Sequence, residues 1–234
     1  MFTFMPLPIQ PVTPKGGQTR ERILQVAHAL FAESGYEGTT LRDIAEGAGC
    51  SLGLLYRYFA RREDLALALY DELCDRFTTA TETIEAKTLS ARFREVMQAR
   101  LRTLRPHQAA LRALVVVALD PASSASVLSA ETASIRARVT AIFERVAEGA
   151  TDFHGDSRQA ASALYAVHQL LLLAWIQDAT PSHRATTAAI DLASEALGLF
   201  ASVSALPVAH SITARLHEAI TAFTPQRPSK RRIK

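Results

Sequence analysis

The stretch that most constrains this chain runs from Thr40 to Arg62 and reads TLRDIAEGAGCSLGLLYRYFARR. Asp43 follows Thr40 by three residues, a spacing that predicts a reciprocal capping box at the start of a helix. Gly49 can adopt the left-handed conformation that lets a chain leave one helix and turn into another, and Ser51 can cap that second helix. The stretch therefore predicts two short helices joined by a tight turn.

Such a pair of helices is typical of a DNA-binding helix-turn-helix, in which the second helix enters the major groove. Leu55 and Phe59 lie four residues apart and predict a narrow buried face on this second helix. The positions left facing outward are Leu52, Gly53, Tyr56 and Arg57. Helical proteins also use such turns for packing alone, so the turn by itself leaves a purely structural role open.

The surrounding residues favour DNA binding. Three segments carry a resemblance to a known family, namely Ser51-Leu52-Gly53, Leu55-Tyr56-Arg57-Tyr58-Phe59 and Arg62-Glu63-Asp64-Leu65. Together they resemble the signature of the TetR/AcrR family of bacterial transcriptional regulators, over about the first third of the chain. The chain differs from that pattern in having Arg62 in place of the usual Lys, and Leu52 and Leu54 where polar base-reading residues often stand. The leucines favour contact with thymine methyl groups, or specificity through DNA shape.

This resemblance implies an all-α homodimer with an N-terminal three-helix DNA-binding domain and a C-terminal helical ligand-binding and dimerisation domain. We therefore expect a disordered arm at 1–18, a helix-turn-helix domain at 19–62, a linker helix with an effector-binding and dimerisation domain at 63–224, and a basic disordered tail at 225–234. The sequence has no alternating strand pattern bounded by hairpin turns, which is consistent with an all-α fold.

The positions of the basic residues say more about DNA binding than the net charge of the chain does. The chain has a net charge of +3, but the last ten residues carry five basic side chains and no acidic one. The rest of the chain is therefore slightly acidic, so DNA affinity has to come from local placement of basic residues. The arginines that the motif gathers are Arg42, Arg57, Arg61 and Arg62.

The resemblance and the outward-facing positions together predict the DNA contacts. Phosphate contacts are expected from Thr40, Tyr56, Tyr58 and Arg62. Base-edge or methyl contacts are expected from Arg42, Ser51, Leu52 and Arg57, with close backbone approach at Gly53. Two copies on a twofold axis would bind a double-stranded, near-palindromic operator whose half-sites lie about 34 Å apart.

Two apolar segments predict how the second copy is bound. Residues 157–177 are apolar on nearly every side, and residues 183–203 carry a stripe of small and aliphatic side chains. Two such helices from each subunit would form a four-helix bundle, although both could also be core helices of a monomer. The longest apolar run, Leu170 to Ile176, is too short to span a bilayer, so no membrane partner is expected.

Polar side chains within the apolar C-terminal helices indicate where a small hydrophobic or amphipathic effector could bind. The candidates are Met97, Arg100, His107, Phe143, Tyr165, His168, Gln169 and Trp175. Histidines on apolar helices are also common as hydrogen-bonded core residues, and that alternative stays open.

No catalytic, cofactor or metal motif is present in the sequence: it has no phosphate-binding glycine loop, no ligand pairs at metal spacing and no nucleophile elbow. We therefore expect no enzyme activity and a cytoplasmic, nucleoid-associated protein with reduced Cys50 and Cys74. Two alternatives remain. An effector-free structural or adaptor protein on DNA would have a body too tightly packed for a cavity, and an all-helical enzyme would place convergent carboxylates or histidines in the C-terminal half.

Overall fold

The computed structural model describes residues 14–223, and within them the chain forms ten α-helices and no strand. The helices are α1 (Pro14–Ser34), α2 (Leu41–Gly47), α3 (Leu52–Tyr58), α4 (Arg62–Ala80), α5 (Leu89–Leu104), α6 (Gln108–Leu119), α7 (Ala133–Glu148), α8 (Ser157–Gln177), α9 (Arg184–Val203) and α10 (Pro207–Ala222). Short 3₁₀ turns precede α6 (Arg105–His107) and α9 (Pro181–His183). The all-α prediction is confirmed, whereas the predicted arm up to residue 13 and the basic tail lie outside the described residues.

The first helix begins at Pro14, five residues before the predicted start at Thr19. Proline is tolerated in the first turn because its missing N–H needs no partner there and its fixed φ is already helical. The glycines at 16 and 17 weaken the helix, but its apolar face offsets their cost by packing. The side chains on that face that are wholly buried are Ile23, Ala27 and Phe31.

The N-terminal head consists of α1, α2, α3 and the first half of α4, packed around one hydrophobic cluster. Ile44 of α2, Leu55 of α3 and Leu65 of α4 all have no exposed surface and belong to this cluster. Burying a leucine or isoleucine stabilises a fold by roughly 1.5–3 kcal/mol. The two short helices are therefore held by tertiary packing, since a seven-residue helix is unstable alone.

The body, α5 to α10 with the second half of α4, has its own core, in which α8 is the central helix. Phe77, Phe93 and Phe143 are fully buried there. α7 covers one side of α8 most extensively and α10 covers another, while α9 packs mainly on α5. α10 of the same chain covers much of that helix, and the apolar side chains of residues 157–177 that stay exposed are mainly Leu170 and Ala174.

By length and composition alone, α8 is also apolar enough to cross a membrane, in contrast to the shorter run considered above. It contacts α6, α7, α9 and α10, which is the environment of a core helix in a globular domain.

Head and body are joined by α6, which packs lengthwise on α1. Leu111 and Leu114 of α6 and Trp175 of α8 belong to the same hydrophobic cluster as Phe31 and Leu55 of the head. Gln108 at the start of α6 donates a hydrogen bond from Nε2 to the Trp175 carbonyl oxygen at 3.2 Å. The head is thus anchored to a body helix by continuous apolar packing.

Two histidines lie in this junction. The rings of His28 on α1 and His107 before α6 meet edge to face, with centroids 6.3 Å apart, and the Nε2 atom of each is buried without a hydrogen-bond partner. Burial lowers the pKa of His28 from 6.5 to about 4, a shift that Glu72 opposes and that His107 and Arg76 increase slightly. Burial also lowers the pKa of His107. Both rings are therefore neutral in the folded protein at neutral pH.

The two histidines of this junction predict that the folded protein becomes less stable in acid. A histidine whose pKa is lower in the folded state binds protons preferentially when unfolded, so stability falls as the pH drops from about 6.5 towards 4. Between pH 7 and pH 5 the free energy of unfolding should fall by about 2 kcal/mol more in the natural protein than in His28→Gln. Urea denaturation at both pH values measures this difference. His210→Gln, at an exposed position on α10, is the control, and equal pH dependence in His28→Gln and the natural protein would contradict the assignment.

Candidate DNA-binding surface and effector cavity

The turn between α2 and α3 has the geometry that the sequence predicts. The Thr40 N–H donates to Asp43 Oδ2 at 2.9 Å and the Asp43 N–H donates to Thr40 Oγ1 at 3.2 Å, which completes the capping box. Gly49 has φ +59°, in the left-handed region, and the Leu54 N–H donates to Ser51 Oγ at 3.2 Å. These contacts satisfy backbone groups at both helix starts and fix the angle at which α3 leaves the turn.

The outward face of α3 is accessible. Leu55 and Phe59 are buried in the head, whereas Tyr56 is 51% exposed. Five of the nine predicted DNA contacts line one shallow concave surface together with Glu37 and Leu41; they are Thr40, Arg42, Leu52, Tyr56 and Arg62. Ser51, Gly53 and Arg57 are also exposed on α3 or at its start, while Tyr58 is half-buried against the head.

Gly53 occupies an open position on that face. A Cβ atom built on it would meet no other atom of the protein within 4 Å, and its backbone is not in the left-handed region. Nothing within the head therefore requires glycine here. Glycine at this position leaves the backbone of α3 open to close approach by another molecule.

Arg62 has a task within the fold that the sequence did not predict. Its Nη1 donates to the carbonyl oxygens of Tyr36 at 2.7 Å and Thr39 at 2.9 Å, and its guanidinium lies 4.6 Å from the centre of the Tyr36 ring. Nη2 lies 3.6 Å from a carboxylate oxygen of Glu37. Arg62 thereby fastens the turn after α1 to the start of α4, and we no longer assign it a phosphate contact.

The body contains a cavity of about 310 Å³ between α4, α5, α6, α7 and α8. Of the eight predicted effector contacts, four line it: Arg100, Tyr165, His168 and Gln169. The other four do not. Met97 and Phe143 are fully buried in the body core, Trp175 is buried in the cluster shared with the head, and His107 lies in the α1–α6 junction.

Among the residues that sequence reasoning missed, Tyr70 of α4 and Arg136 of α7 supply polar groups to the cavity. Arg136 could have been found, because it is a charged residue on the apolar side of α7, three residues before Val139. Tyr70 carries no such signal in the sequence. The cavity also removes the packing argument for an effector-free protein, which required a body without one.

Comparison with known proteins agrees with this geometry. Residues 23–69 match the sequence profile described as "Bacterial regulatory proteins, tetR family". The HTH-type transcriptional repressor KstR2 of Mycobacterium tuberculosis is 47% identical over 58 residues, 25% of this chain and 27% of that protein. The repressor AcnR of Corynebacterium glutamicum is 43% identical over 58 residues, 25% of this chain and 31% of that protein. The N-terminal head is therefore similar in sequence to TetR-family regulators.

The matched stretch covers only about a quarter of these relatives' length, so the likeness in sequence concerns the head. For the fold as a whole, the crystal structure of a TetR-family transcriptional regulator from Streptomyces coelicolor superimposes with a TM-score of 0.60 at 18% identity, covering 91% of this chain and 92% of that one. The arrangement of an N-terminal head on a helical body is therefore shared with that structure.

The hydrogen bonds of Arg62 to the Tyr36 and Thr39 carbonyl oxygens predict that this side chain stabilises the fold. Arg62→Gln removes two charge-assisted hydrogen bonds and should lower the free energy of unfolding by about 1–3 kcal/mol. Arg57→Gln makes the same change of charge at an exposed position on α3 and should leave stability within about 0.5 kcal/mol. Urea denaturation compares the two variants, and equal stabilities would show that the Arg62 contacts contribute nothing.

Proposed function

We propose that the protein is a homodimeric transcriptional repressor that binds a double-stranded DNA operator and is released from it by a small amphipathic effector. The observation that supports this most is the outward face of α3, with Ser51, Gly53, Tyr56 and Arg57 accessible on a TetR-family head. Its named relatives in the head are transcriptional repressors. The site of action would be the nucleoid in the cytoplasm.

In this proposal α3 lies in the major groove. Arg42, Ser51, Leu52 and Arg57 contact base edges or thymine methyl groups, and the backbone at Gly53 approaches the DNA closely. Thr40 and Tyr56 contact phosphates, and Tyr58 contributes only its exposed edge because it is half-buried. With few basic residues on this surface, the salt dependence of binding should be moderate.

The second copy would pack on α9 and α10. Both helices expose large apolar side chains, with Leu192 67%, Leu199 74%, Val208 61% and Ile212 55% accessible. Leu206, in the short connection between the two helices, is 50% exposed and continues the apolar surface along the chain. An apolar surface of this kind is unfavourable in water, and dimerisation is typical of the family. We therefore move the proposed interface from residues 157–177 and 183–203 to α9 and α10.

The effector would act through the cavity walls. Tyr70 and Leu73 of α4 line the cavity, and α4 begins four residues after α3 ends. Leu111 and Val115 of α6 form another wall, and α6 packs on α1 of the head. A ligand that binds better to the conformer whose heads are wrongly spaced for the operator would lower DNA affinity by its preference for that conformer.

DNA binding can be tested at two positions on α3. Gly53→Ala should keep or slightly raise stability, because alanine favours helix by up to about 1 kcal/mol over glycine, yet it should weaken DNA binding by placing a methyl group at the interface. Tyr56→Ala should weaken DNA binding without changing dimerisation. Fluorescence anisotropy on a duplex selected from random DNA measures the DNA affinity of both variants. A Gly53→Ala protein that binds this duplex as tightly as the natural protein would contradict the close approach.

Dimerisation can be tested on the exposed stripes. Leu199→Glu or Ile212→Glu should convert the dimer to a monomer in sedimentation equilibrium, because each places a charge at the proposed interface. Leu128→Glu alters an apolar side chain that is 42% exposed in the connection before α7 and serves as the control. Dimers that persist in both stripe variants would place the interface elsewhere.

A further inference from the structure

Arg100 on α5 is a half-buried cation in the wall of the cavity. Its Nη1 donates one long hydrogen bond, 3.3 Å, to the Leu73 carbonyl oxygen, and its guanidinium lies 4.7 Å from the centre of the Phe77 ring. Its Nε atom is buried and has no hydrogen-bond partner. None of the described residues that line the cavity is acidic, so no carboxylate within it balances the charge.

Two other arginines in the body are differently placed. Arg92 donates to the carbonyl oxygens of Val146, Ala86 and Arg145 at 2.8–2.9 Å, through three different nitrogen atoms. The Nη1 of Arg136 has three acceptors, among them Ser129 O at 2.7 Å. Those two side chains fasten loops to helices. Arg100 makes too few bonds for that, and a cation with a buried, unpaired N–H group is unfavourable.

Further unused polar groups line the same cavity. The Tyr70 hydroxyl and the His168 Nε2 atom are buried without hydrogen-bond partners. Burial, and then the positive charge of Arg100, hold the pKa of His168 well below its ordinary value, so its ring is neutral. Burial lowers the pKa of Arg100 to about 10, which still leaves it charged at neutral pH. The cavity wall thus offers a cation without a carboxylate partner and, on α4, an unpaired hydroxyl.

We propose that the ligand of this cavity is an amphipathic carboxylate, whose oxygens accept hydrogen bonds from Arg100 while its hydrocarbon part packs against Leu111, Val115, Leu172 and Ile176. This inference rests on the proposed function, in which the cavity binds the effector, and adds the sign of the effector's charge. At about 30 Å³ for a water-sized group, 310 Å³ holds roughly ten such groups. A straight-chain acid of the size of octanoate fits that volume.

The test compares octanoate, 1-octanol and octylammonium, which share a tail and differ in charge, by calorimetric titration of the full-length protein. Trp175 is the single tryptophan and adjoins Ile176 of the cavity wall, so its fluorescence gives a second readout. Octanoate should bind at least about tenfold more tightly than 1-octanol, because a hydrogen bond between charged groups is stronger than one to a neutral hydroxyl. Octylammonium should bind least well, because its charge has the same sign as that of Arg100. Arg100→Gln should remove this preference, and Arg102→Gln, exposed on the same helix, should keep it.

Equal binding of octanoate and 1-octanol overturns the inference, whether or not Arg100→Gln folds. So does an unchanged preference in a folded Arg100→Gln, or failure of every straight-chain acid from hexanoate to dodecanoate to bind. DNA anisotropy separates this inference from the proposed function. If octanoate binds through Arg100 without changing DNA affinity, the inference is supported and the effector role is contradicted. If 1-octanol releases DNA as effectively as octanoate does, the effector role is supported and the inference is contradicted.

Discussion

The packing of α1 on α6 is the contact on which the rest of this protein depends. A single hydrophobic cluster contains Phe31 and Leu55 of the head together with Leu111 and Trp175 of the body. Protein interiors are close-packed and change between discrete arrangements more readily than they deform. A shift of α6 therefore has to be accommodated by α1, and through α1 by α2, on which α3 packs. α6 also forms a wall of the cavity, so this one helix contacts both the head and the cavity.

Arginines show how the same side chain takes different roles according to its surroundings. Arg57 is exposed on α3 and available to DNA, whereas Arg62, five residues later, is committed to carbonyl oxygens of the turn after α1. Arg100 lies in an apolar wall with one long hydrogen bond. The fork of donors on a guanidinium suits all three tasks, and only the neighbouring acceptors decide between them.

Much of the fold follows from local sequence signals. The capping residues Thr40 and Ser51 and the turn at Gly49 place α2 and α3 where the sequence predicts them, and the apolar segments 157–177 and 183–203 coincide with α8 and α9. Features that depend on distant contacts were not predictable in this way. The tie of Arg62 to Tyr36 crosses 26 residues, and the covering of α8 by α10 depends on the path of the chain between them. Four of the eight predicted effector residues line the cavity, because polar side chains in an apolar helix can be recognised in the sequence. Met97 and Phe143 lie in the body core instead, because periodicity separates inside from outside and does not separate core from cavity.

The most direct test of the account is thermodynamic linkage between the two sites. The affinity of the selected DNA duplex is measured with and without saturating octanoate, and the affinity of octanoate is measured with and without saturating duplex. If α6 couples the cavity to the head, both affinities should fall by the same factor, because coupling between sites is reciprocal. An octanoate affinity that is identical for the free and the DNA-bound protein would contradict the coupling.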